Sequence, residues 1–133
     1  TCVSMGNPHC IVPVEDPGRL VIEEIGPKFE NHPAFPDRVN TEFIRVLDRK
    51  TVEMRVWERG SGETLACGTG ATAAAIITNY ALQHGTTKYR IQVPGGELIV
   101  GFTHEAGTQN YTNIRLTGPA RRVFSGVFET DNF

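Results

Sequence analysis

Cys67 stands in the run Glu58-Arg59-Gly60-Ser61-Gly62-Glu63-Thr64-Leu65-Ala66-Cys67-Gly68-Thr69-Gly70, just ahead of a segment of small residues. A thiol at that point can serve as an acid, a base or a nucleophile. The segment from Gly70 to about Gln83 reads as a helix, and a helix N-terminus carries partial positive charge and unpaired N–H groups. Such groups hold an anion and lower a thiol's pKa. A carboxylate and a reactive thiolate can therefore meet at one spot. By itself, though, Cys67 is equally well explained as a small residue at a crowded helix entrance. The charged Glu58, Arg59 and Glu63 and a second loop, Gly6-Asn7-Pro8-His9, tip the reading toward a polar site. That loop offers an amide and an imidazole held by proline.

These residues need elements to position them. Val3–Met5 and Cys10–Val14 read as short strands on either side of the Gly6–His9 turn. Leu20, Ile22, Ile25 and Phe29 recur near the helical period, so a helix is expected over 19–31, kinked or split at Pro27. Pro33 and Pro36 make 32–40 a loop. Thr41–Asp48 and Thr51–Glu58 form a hairpin, since Val52, Met54 and Val56 alternate with Glu53, Arg55 and Trp57. The Gly70–Gln83 helix is apolar nearly all round and so should be buried, with Gly85 as its stop. Strands follow near Lys88–Val93, Glu97–Phe102, Asn110–Leu116 and Ala120–Glu129, with Pro94-Gly95-Gly96 as a hairpin turn. The expected fold class is α+β: one domain, a mostly antiparallel sheet curled around a central helix.

Composition excludes several classes. The 133 residues suffice for one core. Thirteen Lys and Arg against fifteen Asp and Glu argue against a nucleic-acid or membrane-surface binder. No run approaches the roughly 20 apolar residues of a membrane span. Cys2, Cys10 and Cys67 are sparse, with no CxxC, which suits a reducing compartment. Cys2 and Cys10 read as small buried hydrophobes. The start lacks a Met and begins in strand-like sequence, so the chain reads as a piece of a longer one. Gly68-Thr69-Gly70-Ala71-Thr72-Ala73 imitates a dinucleotide loop, but the acidic residue expected about 20 positions later is missing. There is no GK[ST] and no GxSxG. His9, Cys10 and Cys67 lack the spacing of a zinc site.

At these residues the chain resembles the diaminopimelate epimerase family over its whole length. The resemblance rests on Val3-Ser4-Met5-Gly6-Asn7-Pro8-His9, Arg38-Val39-Asn40-Thr41-Glu42-Phe43, Met54-Arg55-Val56-Trp57-Glu58-Arg59-Gly60 and Glu63-Thr64-Leu65-Ala66-Cys67-Gly68-Thr69-Gly70, in that order. Proline racemases and phenazine-biosynthesis isomerases share the general fold, and some share a similar cysteine loop. They lack the Glu-Arg-Gly run joined to it. The resemblance covers only the family's C-terminal half, so the N-terminal domain, with its own cysteine, is the missing partner. Thr72 departs from the many relatives with another cysteine there, at a position inside the helix.

The resemblance implies interconversion of LL- and meso-diaminopimelate without pyridoxal phosphate, metal or other cofactor. Two thiols on opposite faces of the α-carbon exchange the roles of base and acid. Cys67 would be one. Glu58 would be its proton acceptor, since an ionised carboxylate nearby raises rather than lowers a thiol's pKa. His9 would serve the cysteine of the missing domain. The N–H groups of Gly68 and Thr69 would cradle the α-carboxylate. Asn7, Asn40, Glu58 and Arg59 would contact substrate, with Asn7, Asn40 and Arg59 reading its distal end. A homodimer in the cytoplasm, or in a plastid stroma if from a plant, is implied, and the isolated domain should not turn over. Two further readings stand beside this one: a non-catalytic carboxylate-binding domain, and an isomerase of the phenazine or proline-racemase branch.

Overall fold

The computed structural model describes residues 1–83 and 85–128. Its strands are β1 (Cys2–Ser4), β2 (Pro8–Pro13), β3 (Asn40–Asp48), β4 (Thr51–Glu58), β5 (Gly62–Thr64), β6 (Lys88–Val93), β7 (Gly96–His104) and β8 (Tyr111–Thr117). Its helices are α1 (Ile22–Glu30) and α2 (Gly68–Leu82), with a 3-10 turn at Pro17–Arg19. One sheet runs in the order β1-β2-β3-β4-β6-β7-β8, with β5 added to β4. Among the described residues only β2/β3 and β4/β6 are parallel pairs. The α+β fold, mostly antiparallel and curled around one helix, is therefore as expected.

Alternation along the strands sorts the two faces. Ile44, Val52, Met54, Val56, Ile91 and Val100 pack with Ala71, Ala73, Ala74, Ala75 and Ile76 of α2. Small side chains let α2 lie close to the sheet, and it touches every strand except β5. On the other face Phe43 meets Phe29 of α1 edge-on at 5.5 Å. Arg55 there grips Glu63 through two bonds of 2.7 and 3.0 Å. Its guanidinium also donates to the carbonyls of Pro17 and Leu20, fastening the segment before α1.

Several expectations are corrected. Pro8 and His9 belong to β2, not to a turn, because β2 finds β3 as a parallel partner with His9 opposite Asn40. Helix α1 starts at Ile22 rather than at 19 and runs unbroken through Pro27. Helix α2 begins at Gly68, capped by Cys67, and ends at Gln83 in the left-handed conformation (φ 48°), so Gly85 is not its cap. The short strand β5 lay unread in the glycine-rich run. The expected strand Ala120–Glu129 is absent over residues 120–128, and Glu129 lies outside the described residues. Strand β8 is the last in the sheet order, and residues 120–128 pair with no strand among the described residues. Cys10 is buried as expected, but Cys2 is exposed.

Candidate active site

Cys67 sits at the N-cap of α2 in extended backbone conformation (φ −129°, ψ 116°). Its Sγ accepts from the Gly70 N–H at 3.4 Å and lies 3.6 Å from the Thr69 hydroxyl. The N–H groups of Gly68 and Thr69, in the first turn of the helix that Cys67 caps, have no partner within the helix. A carboxylate can be held there. The thiol itself is buried, at 7% exposure. Burial raises its pKa above the ordinary thiol value, and Glu58 and Glu42 push the same way. The Thr69 and Gly70 bonds pull it down without winning. This corrects the expectation that the helix mouth gives a low-pKa thiol: desolvation outweighs the helix end.

Strand β2 carries His9 to the same place. Its ring is fully buried, with Nε2 at 3.1 Å from both Asn7 Oδ1 and Thr69 Oγ1. Asn7 in turn donates to Thr69 Oγ1 at 3.3 Å. Asn7, His9, Thr69 and Cys67 thus form one connected network, although Asn7 and His9 are about 60 positions from the other two. His9 stands two contacts from Cys67, on that thiol's own side of the site.

The remaining expected residues are less direct. Glu58, at the end of β4, accepts from the Thr64 hydroxyl at 2.5 Å and acts on Cys67 through space. Thr64 has no signal in sequence that would single it out. Asn40 is nearly buried, donating to the Pro8 carbonyl and accepting from the Arg59 N–H, both at 3.0 Å. It therefore joins the strand carrying His9 to the end of β4, and one amide hydrogen remains for a ligand. Arg59 is half-buried, and its guanidinium donates to the Asp37 carbonyl at 2.9 Å. Among the described residues no group of three or more His, Cys, Asp and Glu is placed to hold a metal.

One member of the site carries no role in the sequence reading. Glu42 on β3 is fully buried, and its Oε1 lies 2.6 Å from Nδ1 of His9. Burial raises its carboxyl pKa, partly offset by the His9 bond. The signal was a charged residue at an inward-facing strand position, one step from Phe43 and two from Ile44.

This arrangement can be compared with known proteins. Residues 1–123 match the family model described as diaminopimelate epimerase. The chain belongs to the diaminopimelate epimerase family. It is 54% identical over 129 residues to diaminopimelate epimerase 1 of Nostoc sp. (strain PCC 7120), and 50% identical over 129 residues to the diaminopimelate epimerase of Gloeothece citriformis. These alignments take in 95% and 97% of the chain but only 43% and 44% of those proteins. The chain thus spans under half the length of the curated relatives it matches. Among solved structures, a phenazine biosynthesis PhzC/PhzF protein from Clostridium difficile superposes with a TM-score of 0.53 at 21% identity, over 71% of this chain and 34% of that one. A PhzF-family protein from Bacillus anthracis gives 0.53 at 24%, over 76% and 32%. At such identities the likeness concerns the fold alone. This chain and these proteins therefore share a fold over the matched part.

Proposed function

We propose that this chain is one half of a diaminopimelate epimerase and supplies one of two acid–base thiols. The observation that carries the reading is the placing of Cys67 beside the open N–H groups of Gly68 and Thr69. The substrate's α-carboxylate lies on those N–H groups, which puts the α-carbon next to Sγ. The α-hydrogen of an amino acid is far less acidic than a thiol, so the developing carbanion needs the positive helix end close by. With its raised pKa Cys67 rests as a thiol, ready to give its proton to one face of the α-carbon. A thiolate of the absent domain removes the proton from the opposite face. In reverse, Cys67 must first lose its proton, and Glu58 is the nearby acceptor. Asn7, Asn40 and Arg59 line the approach and read the distal amino-acid end. We place the whole enzyme in the cytoplasm as a homodimer; among the described residues no helix is long and apolar enough to cross a membrane.

The test uses the complete two-domain enzyme in deuterated water. Wild type should incorporate deuterium at the α-carbon of LL-diaminopimelate, and Cys67→Ala should lower that rate by roughly 10²–10⁴-fold, the usual worth of a positioned acid–base group. Unchanged exchange would sink the role of Cys67. Exchange into proline or another carboxylic acid in place of diaminopimelate would move the chain to the phenazine or proline-racemase branch. Binding of the substrate with no exchange at all would favour the non-catalytic reading.

A further inference from the structure

We propose that Glu42 is a positioning residue: its buried carboxylate holds Nδ1 of His9 as a donor and so aims Nε2 at the helix mouth shared by Asn7, Thr69 and Cys67. The proposal rests on the epimerase reading of this site. It concerns a group that touches neither the thiol nor the place for substrate.

The geometry is specific. Strands β2 and β3 run parallel with Ile11 opposite Glu42, so His9 and Glu42 rise from neighbouring strands toward α2. Both side chains are fully shielded from solvent, and Oε1 and Nδ1 are 2.6 Å apart. With Nδ1–H donating to the carboxylate, the ring can neither flip nor shift its proton without breaking that bond. All proton traffic then falls to Nε2, which faces Asn7 Oδ1 and Thr69 Oγ1 at 3.1 Å. When Nε2 carries a hydrogen it donates to Asn7, and the Thr69 hydroxyl is free to donate to the sulfur of Cys67. When Nε2 is bare, the Thr69 hydroxyl turns to it and leaves the sulfur.

A purely structural pair would be built differently. The second carboxylate oxygen, Oε2, is buried with no hydrogen-bond partner. Buried ion pairs with orphaned atoms give little stability, and an apolar pair of the same volume does as well or better. The helix also yields space to this carboxylate: a Cβ on Gly70 would come within 2.5 Å of Oε1. Glycine in the first turn of a helix is a poor choice unless something needs the room. Here the occupant is the Glu42 oxygen that holds His9.

The experiment has two parts, both on the complete two-domain enzyme. First, ¹⁵N spectra of the imidazoles in wild type should show His9 protonated at Nδ1. A bare Nδ1 with the proton on Nε2 would overturn the proposal, and this measurement needs no variant that folds. Second, Glu42→Gln should lower kcat by about tenfold or more, up to the ~10²–10⁴ that a positioned acid–base group itself contributes. KM should stay within about threefold, since Glu42 is not at the substrate. Glu42→Asp, which keeps the charge, should retain more kcat than the glutamine variant. Equal losses in the two variants, or a change confined to KM, would overturn the proposal. If wild type fails to epimerise diaminopimelate, the functional reading falls, while the spectrum still decides how His9 is held.

Discussion

The indole Nε1 of Trp57 donates to Oε2 of Glu30 at 2.7 Å, tying the end of α1 to the strand that delivers Glu58 and Arg59. The other oxygen of Glu30 accepts from the Gly60 N–H at 2.8 Å and from Arg38 at 2.9 Å. One nearly buried carboxylate thus fixes the turn that follows Glu58. Its pKa is lowered, by the Trp57 bond first of all. Glu30→Gln should destabilise the chain by about 1–3 kcal/mol at neutral pH, because a buried donor set loses its charged acceptor. A depressed carboxyl pKa contributes stability that is present above the unfolded value, near 4.3, and lost as pH falls through the folded value. Denaturant melts of both proteins should therefore converge below about pH 4. A gap that stays constant down to acid would contradict the role.

Gly26 faces the same indole. A Cβ there would overlap Trp57 at Cδ2 and Cγ, which are ring atoms that cannot move aside. Helix propensity alone favours alanine by about 1 kcal/mol. Overpacking against a fixed ring costs about 1–3 kcal/mol. Gly26→Ala should accordingly lower the melting temperature, and a rise would show that Trp57 has room to shift.

Gly70→Ala sets the same two effects against each other at the active site. Its Cβ would approach Glu42 Oε1 to 2.5 Å and Cys67 Cβ to 3.2 Å. Glu42 can retreat only by leaving His9. The expected outcome is a chain that still folds, judged by circular dichroism, while the complete enzyme loses about tenfold or more in kcat. Full activity in that variant would mean that Glu42 has another way to bond His9.

The raised pKa of Cys67 has a direct chemical consequence. A thiol whose pKa lies above the usual value is mostly protonated at neutral pH, and only the thiolate alkylates. In this chain iodoacetamide should label exposed Cys2 well before Cys67 at pH 7. The Cys67 rate should climb steadily as pH rises past about 9, above the ordinary thiol value. Residue-resolved mass spectrometry against pH measures this. Rapid labelling of Cys67 at pH 7 would mean that the helix end outweighs burial after all.

Cys2 and Cys10 are directly opposite on β1 and β2. Thr1 and Ile11 exchange both N–H···O bonds, at 3.0 and 2.7 Å, so the next pair is of the non-hydrogen-bonded kind. Such pairs bring Cα atoms to about 4.5 Å, within disulfide reach. Burial, aided by neighbouring Cys2, pushes Cys10 up to about 11, so Cys2 should react first. With oxidised glutathione, the Cys2 thiolate should displace one glutathione and Cys10 the second, leaving a Cys2–Cys10 bond. Peptide mapping after oxidation should recover that link, and a stable glutathione adduct on Cys2 would count against it.

Much of this was legible in the residues. The alternation of Val52, Met54 and Val56, the alanines before Ile76 and the Pro94-Gly95 turn each report a local geometry, because strand and helix periods involve neighbours in sequence. The position of Cys67 at a helix mouth follows from the same kind of local pattern. What needed the tertiary structure was set between distant segments. His9 became a strand residue because β1 and β3 pair on either side of it, and residues 120–128 pair with no strand among the described residues. Asn40 reads as a polar loop residue until its carboxamide is seen joining Pro8 to Arg59. Whether the thiol of Cys67 is raised or lowered depends on burial and on carboxylates from β3 and β4, sums over contacts that no local motif contains. The same holds for Glu42, a charge in an apolar strand whose meaning appears only when β2 sets His9 against it.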